Sequence, residues 1–398
     1  MRDRTKLTDR FIWCFCLLLA VLLAWRWQRV FFMTSTGAVN SDTPLHVELA
    51  LSGRDYGLSS FLIRALYALF EEHRAQTVLS LLLAANNVAF IGTLYLLVRY
   101  LLPELSKPLC LSSSELALLC GPWLLARVSG GELNPYFSSL YLSAYNGNIY
   151  HNMTVLFSRT LIPTVFLCFF RCWDRRHERI GSGDFWRLTV SMLIVTAFKP
   201  SFAFAFIPVL GVLLLIDLIR YKGRYLKNEI ILGCSVIPAG IVCILQYAVL
   251  FDPSFAGEPS SIVLMRYTPM LLAAVTVMYL RSLLLPIYTL SVQGTKEKQR
   301  GKLSLLVLVD AVAILEARLL TETGYRAQHG NFLWGAIAVY PLIFAVSIGL
   351  LWRLLQETDR HSARGMLRCA VGVVLLLGHL VTGVYFLRLA TTLVSYAV

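Results

Sequence analysis

The chain alternates long apolar runs with short polar segments, and the runs have the length of membrane spans. A helix needs about 20 predominantly apolar residues to cross roughly 30 Å of hydrocarbon. Runs of this order recur at 11–33, 75–101, 109–127, 153–172, 186–198, 201–220, 229–251, 268–290, 303–320, 332–352 and 366–390, which predicts about eleven crossings. Polar sequence between them is too short to build a separate soluble core. The pattern therefore predicts an all-α polytopic membrane helix bundle, one transmembrane domain over 1–398. A further apolar run, 58–70, is too short to span and suits an interfacial helix. The first run is longer than a signal peptide's apolar core and lacks a small-residue cleavage site after it, so it is expected to stay as an anchor.

Composition agrees with the pattern. The 398 residues are 57% hydrophobic and 15% charged, with mean hydropathy +0.66, a balance that polar surface could not cover in water. The net charge of +13 is concentrated in five clusters: Arg2, Arg4, Lys6 and Arg10; Arg171, Arg175, Arg176 and Arg179; Arg220, Lys222, Arg224 and Lys227; Lys296, Lys298, Arg300 and Lys302; and Arg353, Arg360, Arg364 and Arg368. All five fall on one side if the runs flanking Lys199 are separate crossings or two halves of a hairpin. Retention of Lys and Arg in the cytoplasm then puts the N-terminus inside. The charge is thus an orientation signal, and nucleic-acid binding would need a basic soluble module that the pattern does not contain.

The nine cysteines lie in or beside apolar runs and behave as small hydrophobes. Cys14/Cys16 and Cys168/Cys172 have neither a second pair nor a nearby histidine to complete a zinc site. There is no Gly-rich phosphate loop, nucleophile elbow or zinc-protease helix, so the energy for any reaction must come with the substrate. The absence of a cleavable leader and of organelle signals fits a bacterial plasma membrane.

With the basic clusters inside, the other polar segments gather on the outer side, at 34–74, 129–152 and 318–334. The first contains Ser41-Asp42-Thr43-Pro44-Leu45-His46-Val47-Glu48. Pro44 suits the first turn of a helix and Asp42 or Thr43 its N-cap. Asp42 and His46 then lie one turn apart, where a carboxylate and an imidazole can share a metal, a proton or a substrate hydroxyl. The alternative is that Asp42 only caps the helix while His46 and Glu48 meet solvent or headgroups.

The second segment is rich in Tyr and Asn and nearly uncharged. Tyr145, Asn148, His151 and Asn152 could stack on and hydrogen-bond a sugar, although tyrosines also collect in interfacial belts. The third carries Glu322, Arg326, His329 and Asn331 with Gly324 and Gly330. Arg326 and His329 can hold a phosphate; alternatively Glu322 pairs with Arg326 one helical turn on. Lys199-Pro200 interrupts an apolar stretch at the outer side, where the lysine wants an anionic partner or snorkels. Structural pairing is expected for Arg159 and Asp310 within the spans.

This layout resembles the GT-C superfamily of polyprenyl-phosphate-sugar-dependent integral membrane glycosyltransferases: an acidic motif after the first span, an interfacial helix behind it, about eleven spans and further polar loops on the same face. The resemblance implies a sugar transferred by inverting direct displacement from a polyprenyl-phosphate donor to an acceptor on the outer face. It also implies Asp42 as the base, assisted by His46, with Arg326, His329 and Lys199 on the departing phosphate. Glu48, Tyr145, Asn148, His151, Asn152, Glu322 and Asn331 would contact donor or acceptor. Many members carry an adjacent pair of acids, whereas this chain has Ser41-Asp42 with His46 and Glu48 beyond. A divalent metal ion on Asp42 and His46 and a metal-free base therefore both stay open. Members often have a soluble domain after the last span; here an apolar run ends at Val398, and acceptor recognition is expected from the loops. The rival functions are a transporter or flippase for a lipid-linked or polar solute, a polysaccharide polymerase or ligase, and a silent assembly partner. A transporter would be expected to show paired broken helices in two related halves.

Overall fold

The computed structural model describes residues 2–38, 41–54, 57–121, 126–129, 132–135, 152–251, 261–265, 276, 279–292, 297–324, 331–359 and 361–389. Their helices are α1 (Arg2–Ser35), α2 (Thr43–Leu51), α3 (Leu58–Leu69), α4 (Glu72–Leu101), α5 (Lys107–Ala117), α6 (Met153–Arg159), α7 (Ile162–Asp174), α8 (Ser182–Phe198), α9 (Ser201–Arg220), α10 (Leu226–Cys234), α11 (Ile237–Leu250), α12 (Leu284–Val292), α13 (Glu297–Leu319), α14 (Trp334–Glu357) and α15 (Ala363–Leu389). Two short antiparallel ribbons accompany them: β1 (Ala126–Ser129) with β2 (Glu132–Pro135), and β3 (Ile262–Leu264) with β4 (Leu320–Glu322). The architecture is an all-α helix bundle.

Among the described residues, seven helical segments are long and apolar enough to cross a membrane, which makes this a multi-pass membrane protein. The core is built on α14, whose apolar stretch is 94% buried, against 17% for α1 and 28% for both Leu226–Val249 and Ala363–Tyr385. α14 is thus the helix that the others enclose. Those covered on one side only, such as α1 with Phe15, Leu18 and Trp25 exposed, present the rest to lipid.

The spans differ from the predicted ones where proline or charge intervenes. The run at 153–172 forms two helices, because Pro163 lacks an amide hydrogen and is seated in the first turn of α7. Side chains of α4 meet carbonyls at this kink: Asn86 donates to the Leu156 oxygen at 2.6 Å and Thr93 to that of Thr160 at 2.8 Å. The run at 229–251 divides in the same way before Pro238. Among the described residues the run at 109–127 yields the 11-residue α5 and no second helix, while in 268–290 the residues 268–275 and 277–278 lie outside the described ones and α12 holds its end. The predicted span 303–320 belongs to α13, whose polar start and whose Asp310, Glu316 and Arg318 keep it from the seven.

Lys199-Pro200 does not break one helix but joins two. Arg176 and His177, just before α8, bind Asp217 near the end of α9, so both helices return to the same end of the bundle. The short apolar run at 58–70 does form a helix, α3. Its Ser59, Ser60, Ile63 and Leu66 are buried while Phe61 and Leu69 are exposed.

Candidate functional site

The site is assembled where α1 ends. Gly37 takes a left-handed conformation, φ 72°, that lets the chain leave α1 and turn into α2. Asp42 occupies the N-cap position, but its side chain makes no capping hydrogen bond; Ser41 Oγ instead accepts from the Thr43 amide at 3.1 Å. The Asp42 carboxylate is directed across the bundle end. Its Oδ2 accepts from Asn152 Nδ2 at 2.7 Å and lies 3.6 Å from His46 Nε2. The side chains of Asp42 and His46 are each 20% exposed, so the pair is shielded from most solvent while still reachable. Glu48, two residues beyond His46, is exposed and projects about 200° away around the helix, where it cannot face the pair.

Asn152 is fully engaged in placing this carboxylate. It is 3% exposed and is the N-cap of α6, its Oδ1 accepting from the Val155 amide at 3.1 Å and from Thr154 Oγ1 at 2.6 Å. With its oxygen turned into α6, the amide nitrogen has to point out, and Asp42 receives it. Asn152, expected from the sequence to contact a sugar, donates to Asp42 in the structure.

A second polar cluster lies at the same end of the bundle. Lys199, at the C-terminus of α8, donates to Asn331 Oδ1 at 3.0 Å, and Asn331 Nδ2 donates to Glu322 Oε2 at 2.7 Å. Only one orientation of the Asn331 amide serves a cation on its oxygen and a carboxylate on its nitrogen. Ser201 Oγ holds the Asn331 carbonyl at 2.8 Å. Glu322 is the last residue of β4, paired with Ile262, and so lies in a strand; Arg326, its expected partner one helical turn on, lies outside the described residues. Three residues separated in the sequence, Lys199, Glu322 and Asn331, are thus brought together.

α6 links the two clusters. Asn152 caps its start, and Phe157 stacks on Phe198, centroids 5.4 Å apart and planes at 21°. Seven residues of helix are about 10 Å long, so the link is short and rigid. Phe157, Phe198 and Ser201 were not legible in the sequence, because their apolar or small side chains carry no chemical signal on their own. Tyr145, Asn148, His151, Arg326 and His329 lie outside the described residues.

Asp42 and His46 supply two donors for a divalent cation, and among the described residues no third His, Cys, Asp or Glu joins them. The spans hold further buried polar contacts. Arg159 Nη2 donates to Asn87 Oδ1 and stands over Phe90, while Tyr279 donates to Asp310 Oδ2 at 3.0 Å.

The opposite end is held by ion pairs. Lys302 binds Asp174 at 2.7 Å, Arg353 binds Glu104 at 2.7 Å, and Arg176 with His177 binds Asp217. Ser106 donates to Asp9 at 3.1 Å, which places the start of the chain at this basic end.

The sequence matches no family model and no curated protein. Among solved structures, the chain is similar to the Archaeoglobus fulgidus oligosaccharyltransferase tethered with an acceptor peptide containing the NVT sequon. The similarity has a TM-score of 0.37 and 13% identity, over 95% of this chain and 55% of that one. The chain thus spans about half the length of that protein.

Proposed function

We propose that this chain is a membrane glycosyltransferase of the GT-C type, moving a sugar from a polyprenyl-phosphate donor to an acceptor hydroxyl on the outer face. The observation that carries the proposal is the Asp42 carboxylate. It is released from helix capping, held by a buried amide and paired with an imidazole at a partly shielded end of the bundle. That arrangement suits a general base. Asn152 and His46 fix the carboxylate in position, so little reorganisation is needed when a proton moves to it.

In the proposed reaction the acceptor hydroxyl gives its proton to Asp42 as its oxygen bonds to the anomeric carbon. The bond from that carbon to the donor phosphate oxygen breaks, its electron pair stays on that oxygen, and polyprenyl phosphate leaves. One bond forms on the face opposite the one that breaks, inverting the configuration. Lys199, oriented by Asn331, supplies positive charge for the departing phosphate, with Arg326 and His329 in the segment that precedes Asn331 in the sequence. α3 packs against α2 and, with Phe61 and Leu69 exposed, would lie in the membrane interface where a lipid donor arrives.

The test is release of polyprenyl phosphate by the purified full chain in lipid, given polyprenyl-phosphate sugars and candidate acceptors. Asp42→Asn is expected to lose about 10²- to 10⁴-fold in turnover, the size of a general-base contribution, with an unchanged melting temperature. Undiminished turnover in that variant overturns the assignment of Asp42.

A further inference from the structure

The end of the bundle opposite Asp42 holds a cavity of about 690 Å³, within the roughly 300–1,000 Å³ typical of small-molecule sites. It opens between the start of α8 and the start of α10. Arg179, Arg224 and Lys227 line it together with a single acid, Glu178, so the lining is cationic on balance. Ser182 and Asn228 add polar groups, and Phe185 and Ile231 give it an apolar wall.

The walls are fixed before any ligand arrives. Arg176 grips Asp217 with two hydrogen bonds, Nε to Oδ2 at 3.0 Å and Nη2 to Oδ1 at 3.1 Å, and His177 Nε2 reaches the same Oδ2 at 3.0 Å. His177 is stacked on Tyr225 at 4.2 Å and meets Tyr221 edge-on at 4.3 Å. Asn228 Nδ2 donates to the carbonyls of Arg176 at 2.8 Å and Glu178 at 3.0 Å, tying the loop before α8 to α10. Two residues before Arg224 the chain leaves α9 through Lys222, which takes φ 51° without being glycine, a conformation that costs energy and persists where the surroundings enforce it.

The position of the cavity identifies its occupant. α9 is one of the seven segments able to cross a membrane, 20 residues or about 30 Å of helix, and it ends at Arg220, four residues before Arg224, so the cavity sits at the end of a membrane-length helix. The apolar side chains flanking it face outward: Trp186 is 61%, Leu226 46% and Ile230 56% exposed. A phosphate among the three cations would have apolar helix surface directly beside it for acyl chains. Basic pockets between transmembrane helices on the cytoplasmic side are suited to anionic headgroups. We infer that this cavity is a binding site for the phosphate headgroup of an anionic phospholipid, whose chains run down α8 and α10.

The full chain, solubilised and stripped of lipid, would be titrated with phosphatidylglycerol, phosphatidylcholine or inorganic phosphate, reading bound lipid by native mass spectrometry and the melting temperature in parallel. Phosphatidylglycerol is expected to remain bound and raise the melting temperature, and phosphatidylcholine not to. Replacing Arg179, Arg224 and Lys227 together by alanine is expected to weaken retention roughly a hundredfold, since each basic residue near an anionic surface is worth about 1 kcal/mol, or about fivefold. A control removing Arg10, Lys107 and Arg364, which carry the same charge elsewhere on this end, should retain the lipid. Unchanged retention in the cavity variant, or equal loss in the control, overturns the site. An equal thermal shift from inorganic phosphate overturns the lipid as occupant and leaves a free-anion site. Arg179→Lys with Arg224→Lys keeps the charge and guards against misfolding: it should retain most of the binding, and loss there as complete as in the alanine variant overturns a role for charge.

Discussion

Asn152 shows how one side chain can set the chemistry of another. Its oxygen caps α6 and its nitrogen orients Asp42 at 2.7 Å, so the two roles can be separated by substitution. Asn152→Ser keeps a capping hydroxyl but is too short to reach Asp42, whereas Asn152→Ala loses both. Turnover is expected to fall about tenfold or more in each, since a misplaced catalytic group loses rate without losing the fold. Only the alanine variant should lose the cap, worth about 1 kcal/mol. Thermal melting beside the turnover assay separates the two effects; a serine variant with full turnover would show that Asp42 needs no help from Asn152.

Within the elements, the site depends on how closely two helix starts approach. A Cβ added at Gly335, in the first turn of α14, would stand 2.6 Å from the Ser201 carbonyl oxygen, a backbone atom that cannot turn aside. Ser201 also holds the Asn331 carbonyl, so this contact connects the central helix with the Lys199 cluster. Gly335→Ala is expected to push α14 from α9 and destabilise the protein by about 1–3 kcal/mol, the usual cost of overpacking. A melting temperature equal to or above that of the parent would contradict the close packing. The proline kinks belong to the same scale. Proline predicts that a helix must bend, but the carbonyls of Leu156 and Thr160 find their partners on α4, far away in the chain. The interruption at Lys199-Pro200 likewise reads in the sequence as a broken helix or a turn, and only the shared attachment of Arg176 and His177 to Asp217 shows the two helices returning to one end.

For the molecule as a whole, polarity is divided between the two ends. The basic end is tied by ion pairs and carries the cationic cavity, and the other carries Asp42, His46, Lys199, Asn331 and Glu322. By the positive-inside rule the basic end is expected to be cytoplasmic, an orientation that labelling tests. In a cysteine-free background, Arg54→Cys is expected to react with an impermeant maleimide on intact cells, and Lys107→Cys only after permeabilisation. The reverse labelling pattern would invert the orientation and place the proposed chemistry in the cytoplasm.

What the sequence by itself determined follows from short-range physics. Backbone groups in hydrocarbon must be bonded within their own helix, so runs of apolar residues are enough to specify an all-α membrane bundle, and Pro44 after Asp42 is enough to start a helix there. It also placed Asp42 one turn from His46, a separation that the helix alone dictates. The tertiary structure decided which polar residues meet. The amide of Asn152 reaches Asp42 across 110 residues, and Asn331 reaches Lys199 across 132; no local periodicity encodes such distances. It also decided the meaning of ambiguous residues: Glu322 lies in a strand rather than a helix because Ile262 pairs with it. The basic loops read in the sequence only as an orientation signal, and their convergence around a cavity arises because α8 and α9 return to one end, where ion pairs lock the loops together.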